Sequence, residues 1–201
     1  MDIEFKISKN PVNYKKALKL LEKRVSLVKK GGREFVWFLE HPITYTAGIR
    51  SKEQEVLDNS INIIKTNRGG KITLHNRGQL VVYFVINLNK RKKDIRNLVR
   101  QIENIIIKFL EIYKIRSYAD KKNIGIWVKR KKIAAIGIRV SRWVAYHGFS
   151  INIKNNLNDY KKIIPCGLNN KKVTSIKNER KIISEARKNL KEVFFRYISK
   201  F

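Results

Sequence analysis

A nine-residue run, Leu80–Leu88 (LVVYFVINL), bounded by Gln79 and Asn89, constrains this chain more than any other feature. It falls far short of the ~20 apolar residues that a membrane-spanning helix needs. Its branched and aromatic side chains favour a strand that is apolar on both faces, and such a strand must be central and covered from both sides. The spacing supplies the cover. From Pro11 to Lys30 the positions Tyr14, Ala17, Leu18, Leu21, Val25 and Val28 form one helical stripe, stopped by Gly31-Gly32. Asp94 caps a second helix, with Leu98, Val99, Ile102, Ile105, Ile106, Phe109 and Tyr113 facing in. A last helix is expected from about Glu179 to Ile198. Further strands are expected at Glu34–Leu39, Ile61–Lys65, Ile124–Val128, Ile133–Val140 and Trp143–Ile153, the last three as an antiparallel meander. Helices flank strands without regular alternation, so the expected class is α+β, or mixed-sheet α/β, in one domain over residues 1–201.

Composition excludes several functions. One cysteine permits no internal disulfide framework, and with three histidines it leaves no cysteine-rich zinc site. The start, MDIEFKISKN, has no apolar core of a signal peptide, and no apolar window approaches 18 residues. A cytoplasmic protein with no membrane partner is expected. Lys and Arg number 46 against 16 Asp and Glu, a net charge of +30. Two readings of that charge stand open: compositional drift that scatters lysines over a solvated surface, and attraction to an acidic partner, nucleic acid or protein.

Three stretches carry residues that a core does not want. Arg68–Gln79 (RGGKITLHNRGQ) holds three glycines, two arginines and a histidine, a composition that lets backbone approach a ligand closely. An ordinary long hairpin would read the same way, and neither a Walker loop nor GxGxxG is present. In Lys131–Ile153 the small residues Ala134, Ala135 and Gly137 interrupt a strand, and Lys132 sits at its mouth beside an apolar run. Most lysines at strand ends are simply solvated; one beside apolar surface and other cations holds its proton less tightly. In Ile163–Ile176 the sole thiol, Cys166, lies between Pro165 and Gly167, presented in a turn. A lone cysteine is more often inert than catalytic.

Together, in order, these motifs resemble the lipoyl(octanoyl)transferases, also called lipoate–protein ligase B. The family's RGGxxTxHGPGQL is similar to Arg68–Leu80, its KIAxxGxRxxRxxxxHGxxxN to Lys132–Asn152, and its PCG and VTS to Pro165–Gly167 and Val173–Ser175; EHPITYTAG at Glu40–Gly48 resembles its early loop. The resemblance implies the α+β domain shared by biotin and lipoate ligases. It implies transfer of an octanoyl group from acyl carrier protein, through a cysteine thioester, to a lysine of a lipoyl domain. Implied acceptors are the lipoyl domains of 2-oxoacid dehydrogenase complexes and the glycine cleavage H protein; no nucleic acid, ATP or metal is implied. On this resemblance Cys166 is the nucleophile and Lys132 the acid/base of lowered pKa. Substrate contacts fall on Arg68, Gly69, Gly70, Lys71, Ile72, Thr73, Leu74 and His75, on Ala135, Ile136 and Gly137, and on Gly148, Phe149 and Ser150, with Gln79 and His147 in support.

The chemistry is coherent, since a thiolate attacks a thioester and leaves again when an amine attacks. One departure stands out: Asn76 and Arg77 occupy the positions of the family's Gly-Pro. Asn76 is expected to hold the turn at positive φ, with Arg77 adding charge and flexibility. An ATP-dependent lipoate ligase of the same fold is the nearest rival, though it needs no cysteine in a PCG turn. A non-catalytic nucleic-acid-binding domain is the rival from another class, and it predicts basic and aromatic residues gathered on one surface.

Overall fold

The computed structural model describes residues 2–165, 172–180 and 185–198. Its elements, in chain order, are β1 (Ile3–Ile7), α1 (Tyr14–Lys29), β2 (Glu34–Leu39), β3 (Thr44–Ala47), β4 (Ile63–Lys65), β5 (Ile72–His75), β6 (Gln79–Asn87), α2 (Ile95–Ile112), β7 (Tyr118–Ala119), β8 (Ile126–Val128), β9 (Lys131–Ser141), β10 (Val144–Asn152), α3 (Ile176–Glu179) and α4 (Ala186–Ile198). Seven strands form a large sheet in the order β1-β2-β6-β10-β9-β8-β7, and three form a small one, β4-β3-β5. β1 runs parallel to β2 and β4 to β3, and the other pairings are antiparallel. This is the mixed-sheet α/β class.

The central apolar run becomes β6, and it is covered on both faces as its composition requires. Val81, Tyr83 and Val85 pack with Tyr14, Ala17, Leu21, Val25 and Val28 of α1. Their neighbours Val82, Phe84 and Ile86 pack with Leu98, Ile102, Ile105 and Phe109 of α2 and with Leu190 and Phe194 of α4. The period-2 alternation of a strand thus splits one sequence run between two cores. Asn13 and Asp94 cap α1 and α2, each accepting a main-chain N–H three residues on, at 3.2 and 2.9 Å.

Strands β1, β3, β5 and β7 go beyond the sequence reading, and the expected last helix is divided. Arg180 is extended, with φ −147° and ψ 141°, and ends α3. Its guanidinium donates to the carbonyls of Tyr113 at 3.1 Å and Lys114 at 2.6 Å, groups just past the end of α2. That bond to a distant helix terminus outweighs continuation of the local helix. Residues 181–184 of the expected helix, Ile182 and Ile183 among them, lie outside the described residues.

Both hairpins of the β8–β9–β10 meander turn through two residues, Lys129-Arg130 and Arg142-Trp143, all four at positive φ between 45° and 66°. That is the backbone of a type I′ turn, which asparagine and glycine adopt at least cost. Left-handed backbone costs a side-chain-bearing residue roughly 1–2 kcal/mol. The Lys129→Asn/Arg130→Gly double variant is therefore expected to gain about 1 kcal/mol or more, seen as a higher urea midpoint at unchanged m-value. A midpoint at or below the native one would show that the turn is unstrained.

Candidate functional site

A cleft of about 490 Å³ opens between the middle of the large sheet and the small sheet. Arg68, Gly69, Gly70, Lys71, Thr73 and His75 line one wall; Ala135, Ile136, Gly137, His147, Gly148, Phe149 and Ser150 line the other. Two sequence segments read as distinct therefore face each other. Ile72 and Leu74 alternate away from the cleft into the small sheet's own core, with Tyr45, Tyr160 and Ile163. Tyr14, Val81 and Tyr83 also line the cleft, although the sequence shows them only as members of apolar stripes.

Close backbone approach builds the walls. A Cβ on Gly148 would lie 1.9 Å from the carbonyl oxygen of Val82, and one on Gly69 would lie 2.6 Å from that of Ile138. No side chain fits either place. His147, just before Gly148, sits at φ 66° within β10, an uncommon conformation for a residue with a side chain. Its Nε2 lies 2.6 Å from Asn67 Oδ1, an acceptor, so Nε2 carries the proton and donates.

Lys132, the second residue of β9, lines a smaller cavity of about 250 Å³ with Asn152, Tyr160, Pro165 and Val173. Thr73, Ala135 and Ser150 line both spaces, so the two adjoin. Lys132 is buried; its Nζ donates to the carbonyl of Ile124 at 3.0 Å and lies 4.9 Å from the centre of the Trp127 ring. A Cβ on Gly125 would be 3.4 Å from that nitrogen and 2.6 Å from the Ala134 carbonyl, so glycine there makes room for the lysine's head. The main chain of Lys132 is bonded to the far flank of the expected PCG turn, its N–H to Lys172 and its carbonyl to Thr174, both at 2.9 Å. Cys166 itself lies outside the described residues.

The polar lining is organised behind the cleft. Gln79 accepts from His75 Nδ1 at 2.7 Å and donates to Asn152 and Tyr160, both at 2.9 Å. Asn76 is not in the left-handed region, contrary to the sequence expectation. Its side chain instead donates to the Asn156 carbonyl and to Asp159 at 2.8 Å each and accepts from Asn155 at 2.9 Å, bonds that a glycine lacks. Those bonds, made across the domain, hold the turn in place of local backbone geometry. Arg77 is exposed beside it. Lys71, at the cleft, pairs with buried Glu55 at 2.8 Å, and the Glu55 carbonyl accepts from the N–H of Ile164 at 2.8 Å.

All three histidines of the chain are buried, and burial lowers each: His41 to about 4, His75 and His147 to about 3. The Arg68 guanidinium depresses His75 and His147 further. Burial likewise raises Tyr14 and Tyr83. Among the described residues no group of three or more His, Cys, Asp or Glu side chains is arranged to hold a metal ion. Nor is any described helix long and apolar enough to cross a membrane.

Comparison with known proteins places this architecture. The catalytic-domain model of the lipoyl protein ligases A and B matches residues 13–195. An octanoyltransferase of Anaplasma phagocytophilum is 45% identical over 184 residues, 88% of either chain. Among solved structures, lipoate-protein ligase A bound with ATP superposes with a TM-score of 0.81 at 16% identity, covering 99% of this chain and 86% of that one. A biotin protein ligase of Aquifex aeolicus, in complex with biotin and ATP, superposes at 0.57 with 15% identity over 98% and 69%. These two structural likenesses concern the fold.

The histidines give a pH dependence of definite sign. Each keeps its folded pKa below its unfolded value of ~6.5, so below that pH the unfolded chain binds protons that the folded chain refuses. Stability is expected to be flat above neutrality and to fall as pH drops through 6 toward 4, by about 1.4 kcal/mol per pH unit for each histidine. Equal urea midpoints at pH 7 and pH 5 would overturn the neutral assignment. Gly148→Ala is expected to cost about 3 kcal/mol or more, because the clash is with backbone that cannot step aside; a loss below 1 kcal/mol would contradict it.

Proposed function

Because the chain belongs to the lipoyl protein ligase A/B catalytic-domain family and is an octanoyltransferase, we propose that it works through a thioester on Cys166, with Lys132 moving the protons. One observation carries this reading. Pro165, the residue bonded to Cys166, lines the same small cavity as Lys132, and that cavity adjoins the cleft. The donor is octanoyl–acyl carrier protein and the acceptor a lipoyl-domain lysine, of a 2-oxoacid dehydrogenase complex or the glycine cleavage H protein, in the cytoplasm.

In the first half-reaction the Cys166 sulfur bonds to the octanoyl carbonyl carbon, and the carbon–sulfur bond to pantetheine breaks. The proton lost by Cys166 ends on the departing pantetheine sulfur. In the second half the acceptor amine attacks the same carbon, the amide forms, and the amine's proton returns to the Cys166 sulfur. Each exchange conserves protons and needs no nucleotide, metal or redox partner, so no cofactor belongs to the proposal. In this reading Lys132 relays both protons, supported by a nitrogen that is held, among the described residues, by a carbonyl and a ring face. The octanoyl chain takes the cleft, where Ala135 and Gly137 leave the floor low and Val81, Ile136 and Phe149 supply apolar walls. His75 and His147, kept neutral, add no charge that would oppose an acyl chain.

Incubation with octanoyl–carrier protein is expected to add one octanoyl group, removable by hydroxylamine, to the native protein and none to Cys166→Ala. An adduct on the variant would overturn the thioester. Lys132→Met is expected to lower turnover by about 10²–10⁴-fold while the protein stays folded; near-native turnover would remove Lys132 from the mechanism. The +30 charge acts at protein interfaces, where rim charges chiefly speed encounter and salt screens them over about 8 Å. The second-order rate with carrier protein is therefore expected to fall steeply with salt, and the rate with octanoyl-pantetheine much less. Equal salt sensitivity would favour compositional drift.

A further inference from the structure

We propose that the open edge of β9 is the seat of the acceptor, an acidic protein domain that presents its target lysine to the cleft from the groove along this edge. The inference rests on the acyl-transfer reading above and adds where the second substrate sits. β9 pairs with β8 only at Lys131, Lys132 and Ala134. From Ala135 to Ser141 its other side pairs with β10, and no described strand covers the outer side. An edge left open in this way is a template for a strand of another chain, and folded proteins usually blunt it with charge or cover.

No described strand covers this edge, and the charge it carries is limited to two arginines set among exposed isoleucines. A groove of about 1100 Å³ runs along it, lined by Ile49, Arg50, Ile95, Ile124, Ile138 and Arg139 among others. Ile49 is 65% exposed, Ile124 44% and Ile95 42%. Apolar side chains in the open, interleaved with two exposed arginines, are the composition of a protein interface whose partner carries carboxylates.

Two features select the acceptor over the donor. Gly69, Gly70 and Ile136 line both the groove and the cleft, so the groove runs into the site. Ile124, which lines the groove, is also the residue whose carbonyl receives Lys132 Nζ. A lysine amine ends a short four-carbon stem, so the domain that bears it must press against the rim close to Lys132. The donor thioester ends a long pantetheine arm, and its carrier can stand away from the rim.

The test uses the Ile49→Glu/Arg50→Glu double variant, two exposed positions outside the proposed catalytic and acyl-binding machinery. An unmodified acidic lipoyl domain is the probe, titrated calorimetrically, and acyl-adduct formation from octanoyl–carrier protein is followed in parallel by intact mass. The expected result is about a tenfold or greater loss of lipoyl-domain affinity, with the acylation rate within about twofold of native. Unchanged lipoyl-domain binding overturns the assignment. Slower acylation, with or without loss of lipoyl-domain binding, also overturns it, because the groove would then serve the carrier protein. Absence of any acyl adduct on the native protein defeats the thioester reading alone and leaves the binding titration to decide the groove.

Discussion

The buried amide of Gln79 is the joint on which the site depends. It sits at the first residue of β6, accepts from His75 at the end of β5, and donates to Asn152 at the end of β10 and to Tyr160 in the turn that leads to Pro165. One side chain therefore holds together the small sheet, the large sheet and the approach to the sole thiol. An amide with no exposure costs several kcal/mol unless its hydrogen bonds are made. Here both its acceptor and its donors are engaged, with the Leu74 carbonyl as a further partner at 3.2 Å. The carbonyl oxygen must face the histidine, because the amide nitrogen is fixed by three acceptors. His75 is thereby held with its proton on Nδ1, leaving Nε2 as the acceptor nitrogen.

Much of this was legible in the sequence, wherever the chemistry was local. The stripes of α1 and α2, the cap at Asp94, and the central strand all follow from period and end signals, whereas the cap at Asn13 emerges only in the structure. The two cleft walls were legible as stretches with too many glycines for a core. The structure adds the reason: Gly148 and Gly69 stand where backbone meets backbone, and no alternative side chain fits. Where distant partners decide, the sequence reading departs from the structure. Arg180 breaks a helical pattern by bonding to carbonyls beyond the end of α2. Asn76 gains three side-chain bonds to the 155–159 segment, which makes a left-handed turn unnecessary. β3 and β5 are four-residue strands whose partners lie well away in sequence, so period-2 patterning has too few residues to speak.

Tyr14 shows the same limit in the site itself. By spacing it is one more apolar residue on the inner face of α1. In three dimensions its ring stacks on His75 at 5.8 Å and lies tilted 5.0 Å from His41, while His41 bonds Tyr83 at 2.9 Å and the Val12 carbonyl at 2.6 Å. Neutral aromatic rings thus close one end of the cleft, with the guanidinium of Arg68 as the nearby charge that depresses Tyr14 and Tyr83 against the effect of burial. No pattern in a single sequence distinguishes such a tyrosine from its packing neighbours.

The charge is best understood through the acids rather than the lysines. With 16 acidic side chains against 46 basic ones, the acids that matter most are engaged internally. Glu34 accepts from the N–H of Asn87 and pairs with Arg91; Glu40 accepts from the N–H of Gly78 and pairs with Arg187; Glu55 pairs with Lys71 behind the cleft wall. Five more acids, Asp2, Glu4, Asp58, Glu111 and Glu185, pair with cations nearer the surface, and the basic side chains still leave a large positive excess. A net charge of that size accelerates encounter with any acidic partner but by itself gives no orientation. Orientation must come from shape and apolar contact, and the uncovered edge of β9 is where exposed isoleucines, arginines and an entrance to the cleft coincide. In the proposed complex rate and register are thereby separated: the net charge speeds encounter, and one strand edge sets how the acceptor sits.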